Sequence, residues 1–114
     1  MQITYDSIIK SGKVPEANIQ AEFYMLCRKN GIQILLEVRY MDCRFDALVF
    51  NQGRPFAIIE IKNYGKKCSV RGLPKNGRQW NKYSRFGIPL IEVLNSSQII
   101  PKFNALVEML NQSK

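Results

Sequence analysis

Phe56-Ala57-Ile58-Ile59-Glu60-Ile61-Lys62 is the stretch on which the reading of this chain turns. Strand side chains alternate between two faces, so Ala57, Ile59 and Ile61 share one face and Ile58, Glu60 and Lys62 the other. A carboxylate and an ammonium two residues apart therefore leave the strand's end in the same direction. Immediately before it, Asn51-Gln52-Gly53-Arg54 reads as a hairpin turn, with Gly53 supplying a positive φ, and Cys43–Phe50 alternates as a preceding strand. Asp46 sits in that strand among apolar neighbours, where a purely structural strand rarely wants a carboxylate. Pairing through the 51–54 turn would bring Asp46 and Glu60 near each other. Their oxygens, with the backbone carbonyl of Ile61, make half an octahedral shell that waters complete. Such a set suits Mg²⁺, with Mn²⁺ as a substitute. Lys62 would orient an attacking water and stabilise charge developing at phosphorus.

Outward from this hairpin the chain reads as α/β. Pro15-Glu16 looks like a helix start, with Pro at the first helical position. Ile19, Phe23, Leu26 and Cys27 then recur at helical spacing, and Asn30-Gly31 ends the run. Ile32–Tyr40 is a strand rich in Ile, Leu and Val. Beyond the hairpin, Asn76–Phe86 predicts a second helix, with Trp80, Tyr83 and Phe86 three apart. Ile88–Leu94 reads as a buried strand and Ile99–Leu110 as an amphipathic helix with Phe103, Leu106, Val107 and Leu110 inward. The order is αβββαβα. Only the segment around the second helix offers a crossover, so the first three strands form a meander and the last lies parallel to a neighbour. The expectation is one domain over residues 1–114, with its core at about 16–94 and a final helix at about 99–112.

Composition narrows the chemistry. The chain has 114 residues and no histidine, which removes His-based nucleophile activation, His general bases and His-ligated zinc. Three scattered cysteines, Cys27, Cys43 and Cys68, fit no CxxC spacing and read as buried thiols in a reducing, cytoplasmic setting. No apolar run approaches a membrane span, and no membrane partner is expected. The net charge of +8 is localised. Between Glu60 and Glu92 there is no acid but there are eight cations: Lys62, Lys66, Lys67, Arg71, Lys75, Arg78, Lys82 and Arg85. Elsewhere nine cations meet nine anions. A basic segment of this kind is the footprint of a polyanion, and Tyr64 beside it is placed to stack on a base. Gly65, Gly72, Pro74 and Gly77 interrupt the segment, so it is no long basic amphipathic helix for a lipid surface.

In element order and in Asp46, thirteen intervening residues, then Glu60-Ile61-Lys62, the chain resembles the PD-(D/E)XK nuclease superfamily. Its signature is a strand Asp followed on the next strand by (D/E)-x-K; Phe45 stands where the family's proline would be. The resemblance implies a restriction-endonuclease-like αβββαβ core, a mixed central sheet flanked by helices. It covers about residues 16–94. Many members carry a glutamate on the first helix that supports the metal site, and Glu22 matches it. Gly77-Arg78-Gln79-Trp80 through Phe86-Gly87-Ile88-Pro89-Leu90 is similar to the virus-type replication-repair (VRR-Nuc) branch, which implies that Gln79 contacts the attacking water or a phosphate. The function so implied is Mg²⁺-dependent endonucleolytic cleavage of DNA, selective for flap, branched or junction structures. Asp46, Glu60 and Lys62 would be central, with Glu22 and Gln79 assisting and Lys66, Lys67, Arg71, Lys75, Arg78, Lys82 and Arg85 gripping phosphates. Cutting both strands is easiest with two symmetric subunits, hence an expected homodimer. The alternative is a non-catalytic nucleic-acid-binding module, or a small basic RNA-binding protein in which the acids are incidental.

Overall fold

The computed structural model describes residues 4–7, 15–40, 43–62 and 87–113. Helix α1 (Glu16–Lys29) starts one residue later than the proline suggests. Pro15 is its N-cap, at φ −55° and ψ 145°, and its carbonyl accepts the amides of Asn18 and Ile19. Glu16 sits at the positive end of the helix dipole and Arg28 and Lys29 at the negative end. Gly31, at φ 73°, turns the chain into the sheet.

Strands β1 (Gln33–Tyr40), β2 (Cys43–Asn51) and β3 (Arg54–Ile61) form an antiparallel meander, and β4 (Leu90–Val93) joins β3 in parallel. The sheet order is β1-β2-β3-β4, so the mixed four-stranded sheet follows the expected connectivity. Gln52 and Gly53 both have positive φ, 53° and 78°, which is the two-residue type I′ geometry whose twist matches a hairpin. After β4, Asn95 accepts the Ser97 amide and Gln98 accepts the Leu94 amide, closing a 3₁₀ turn (Ser96–Gln98) that opens helix α2 (Ile99–Gln112).

Both helices lie on one face of the sheet. Ile19, Phe23 and Cys27 of α1 and Ile99, Phe103 and Leu106 of α2 pack on Ala47, Val49, Ala57, Ile59, Ile61 and Val93. Phe23 and Phe103 meet edge to face, with ring centroids 6.3 Å apart. On the other face Cys43, Phe45, Leu48 and Ile58 are buried together, joined by Val38, Phe50, Ile88 and Leu90. Ala57, Ile59 and Ile61 face the helices while Ile58 faces away, as strand alternation requires.

Strict alternation fails in β1 and β2, where the sequence reading expected it for β2. Ala47 and Val49 belong to the helix-side core, but Phe45 and Cys43, of the same parity, belong to the other. In β1 Leu36 packs on the helix side and Val38 on the far side. Both inversions fall at one step of the ladder. Leu36 pairs with Ala47 and Val38 with Phe45, and the step between them, Glu37 beside Asp46, is missing from the pairing. Glu37 has φ 53°, a left-handed backbone uncommon for a residue with a Cβ. That single twisted residue lets two strands exchange faces together without slipping register.

The predicted helix over Asn76–Phe86, and with it Gln79, Trp80, Tyr83, Tyr64, Cys68 and the phosphate-gripping cations Lys66, Lys67, Arg71, Lys75, Arg78, Lys82 and Arg85, lies outside the described residues. Among the described residues no helix is long and apolar enough to cross a membrane.

Candidate active site

The lapse in pairing at Asp46 builds the site. Ala47 pairs with Ile59, where the β2–β3 ladder ends, and one more step of the same register would set Asp46 level with Glu60. Regular pairing would continue with the Ile61 amide donating to β2 backbone. Instead it donates to Asp46 Oδ2 at 2.7 Å. The donor belongs to the peptide that joins Glu60 to Ile61, so the Asp46 carboxylate is fastened within one peptide unit of the Glu60 backbone. Asp46 is half-buried and Ile61 is 2% exposed, so this charge-assisted bond forms in a sheltered place. A strand residue's N–H and C=O leave the same edge, so the Ile61 carbonyl also projects towards β2.

Helix α1 braces Asp46 from behind. Gln20 Nε2 donates to the Asp46 backbone carbonyl at 2.7 Å, occupying an acceptor that the interrupted ladder leaves without its strand partner. The Asp46 main chain and side chain are thus held by different elements, α1 and β3. Gln20 was not singled out by sequence reasoning. Glu22 was, as a carboxylate that could face the sheet end. Two residues along a helix is a rotation of about 200°, so Glu22 points away from the sheet end to which Gln20 points. It is exposed, beside Met25, Lys29 and Ile100 on the outer surface.

Glu60 lies on the sheet face away from the helices, buried at 5% exposure. Its Oε1 is 3.6 Å from Lys62 Nζ, an ion pair whose ammonium side chain remains 28% exposed. The acid is sheltered and the base reaches outward. This is the common direction that alternation predicts for Glu60 and Lys62. The Lys62 amide donates to the Val93 carbonyl at 2.8 Å, so β4 fixes the backbone from which that side chain leaves.

Sequence reasoning left Glu92 as a spare acid. Parallel pairing sets it directly beside Glu60, on the same face and partly buried. The signal was present: Ile58-Ile59-Glu60-Ile61 and Leu90-Ile91-Glu92-Val93 share one pattern, and parallel neighbours align like with like. Asp46 is thus tied to the Ile61 amide, Lys62 is paired with Glu60, and Glu92 stands next to Glu60 in the ladder. Among the described residues no three His, Cys, Asp or Glu side chains gather as a ready-made metal cluster. Two carboxylates and a carbonyl, all hard oxygens, fit a cation that keeps several waters better than one that demands a full protein cage.

The two described cysteines stand apart from this chemistry. Cys27 and Cys43 are both buried, and burial pushes the Cys27 thiol up to about 12, so it stays protonated and packs as a small apolar group. No family model, curated protein or solved structure matches this chain.

Proposed function

We propose that this protein is a Mg²⁺-dependent endonuclease that hydrolyses DNA phosphodiesters, with a restriction-endonuclease-like core and a preference for flap, branched or junction structures. The observation that carries the reading is the fastening of the Asp46 carboxylate to the Glu60–Ile61 peptide, with Lys62 beside Glu60. The tie of Asp46 to the backbone between Glu60 and Lys62, and the ion pair of those two side chains, support reading the three as one site. The acid-free run from Lys62 to Arg85 supplies the positive charge that a phosphate backbone needs, and the absence of histidine leaves carboxylates and lysine to do the work.

Asp46 and Glu60, with the Ile61 carbonyl, would hold the cation. When bound, it would activate a water and neutralise charge on the scissile phosphate. The chain's own residues set the rest. Glu60 keeps the Lys62 ammonium within 3.6 Å, at the rim of the site, where it can orient a nucleophile and meet the growing negative charge. Gln20 and Ile61 hold Asp46 in place before any ligand arrives, so little ordering remains to be done on binding. Backbone and shape, rather than base edges, would carry recognition of such structures.

The test is cleavage of supercoiled, linear, flap and four-way-junction DNA in Mg²⁺, Mn²⁺, Ca²⁺ or chelator. Cuts should appear with Mg²⁺ or Mn²⁺ alone and vanish in Glu60→Ala, while DNA binding survives. Binding without cleavage under every condition would leave a non-catalytic nucleic-acid module and overturn the reading.

A further inference from the structure

We infer that the outer face of α1 seats a second copy of this chain, helix against helix and antiparallel about a two-fold axis. The inference goes beyond the nuclease reading and does not depend on it. Glu22, Met25, Leu26 and Lys29 are spaced three, four and seven apart and so lie in one stripe along the helix. With Ala21 beside the stripe and Ile100 of α2 across from it, they line one open groove. Met25 is 62% and Ile100 54% exposed, two large apolar side chains left in water at the same place. Scattered exposed apolar residues need no explanation, but a contiguous pair with an apolar floor and a charged rim has the anatomy of an interface.

The charges name the partner. The stripe opens with an acid and closes with a base, and its midpoint falls between Met25 and Leu26. A two-fold rotation reverses the helix direction. Glu22 of one copy then faces Lys29 of the other, twice over, while Met25 and Leu26 meet their counterparts at the centre. Parallel docking would instead set Glu22 on Glu22 and Lys29 on Lys29. The surface is thus complementary to itself in one orientation, as an isologous contact must be. Ala21, small and adjacent, allows the close helix approach of about 8–10 Å that such packing uses. Apolar contact at the centre supplies the attraction, and the two rim pairs select orientation and partner.

Sedimentation velocity of the full chain over a concentration series tests this directly. The native chain should show a reversible monomer–dimer equilibrium. Glu22→Lys and Lys29→Glu should each weaken it about tenfold, because two favourable contacts become two repulsive ones. Combining both changes in one chain should restore dimerisation. Mixing the two single variants should give a heterodimer tighter than either homodimer, since one copy then carries both positive charges, the other both negative, and every facing pair is opposite in sign. Met25→Asp should leave a monomer with an unchanged far-ultraviolet spectrum. A native chain that stays monomeric at about 100 μM would overturn the proposal, because an interface of this kind should hold at micromolar concentration. So would a dimer indifferent to both charge reversals, or a double reversal and a mixture that fail to rescue.

Discussion

Replacing Asp46 with Asn or with Ala separates what its carboxylate does for the fold from what it does for a cation. In the native chain Oδ2 accepts the Ile61 amide at 2.7 Å. Asn keeps an oxygen for that amide and loses only the charge assistance, a cost of about 1 kcal/mol. Ala strands a donor on a residue that is 2% exposed, a cost of about 2–3 kcal/mol. With an unfolding entropy of about 2.1 cal/mol/K per residue, a chain of 114 residues converts these to Tm losses of about 4 °C and about 10 °C. Cation binding acts separately. At ten times the dissociation constant, Mg²⁺ or Mn²⁺ should stabilise the native chain by about 1.4 kcal/mol, raising Tm by about 6 °C. The side-chain amide in Asp46→Asn keeps the geometry but lacks the negative charge, so this variant should melt only slightly early and gain almost nothing from the ion. Differential scanning fluorimetry with a Mn²⁺ titration reads both quantities in one experiment. If Asp46→Asn retains the full rise, or if the native chain shows none, the assignment of Asp46 as a cation ligand is wrong.

Four further outcomes follow, three from the geometry and one from the charge of the sequence. Lys62→Ala should lower cleavage by about 10²-fold or more while leaving the Mn²⁺-induced Tm rise intact, because the role proposed for the ammonium is toward the reacting phosphate and not the ion; single-turnover cleavage with a parallel melting curve measures both. Neutralising Lys66 and Lys67 should weaken binding to every DNA sequence and reduce the slope of log K against log salt by about 1–2, read by fluorescence anisotropy across a salt series. Gln20→Ala should cost about 1 kcal/mol of stability and blunt the ion response of an unaltered Asp46, since the carbonyl that Gln20 holds at 2.7 Å positions that residue; the same fluorimetric titration shows it. The Cys27 thiol is raised from 9.0 to about 12 by burial, so the unfolded chain releases that proton first as pH climbs and stability falls with rising pH from about 9. Between pH 8 and 9.5 the loss should be about 0.8 kcal/mol from this group, and Cys27→Ala should flatten that part of the urea-midpoint profile.

How much of this was legible in the sequence differs from element to element. The β3 alternation, the Gln52-Gly53 turn, the apolar stripe of α1 and the parallel attachment of β4 follow from periodicity, turn chemistry and the need for a crossover, and the structure has each of them. The exchange of faces at Glu37 and Asp46 was not legible, because a left-handed backbone at a residue other than glycine leaves no mark in composition. The first helix was found, but the hydrogen bond from Gln20 was not anticipated. One helical position turns a side chain by about 100°, so choosing Glu22 over Gln20 meant choosing the opposite face, and only packing against β2 decides between them. Glu92 was passed over because its neighbour is set by a pairing across a long connection. The readings placed on Tyr64, Gln79 and the cations from Lys66 to Arg85 lie outside the described residues.

The left-handed twist at Glu37 also matters for what β1 does not do. This strand is an outermost member of the described sheet, and a long straight outer strand invites stray chains to anneal along its free amides and carbonyls. Here the row is cut into Gln33–Leu36 and Val38–Tyr40, which address different directions, with Glu37 and Arg44 bridged at 2.8 Å where the cut falls. An intruding segment could match one piece or the other but not run across both. The kink that releases Asp46 from the ladder thereby guards the molecule against fibrous self-association.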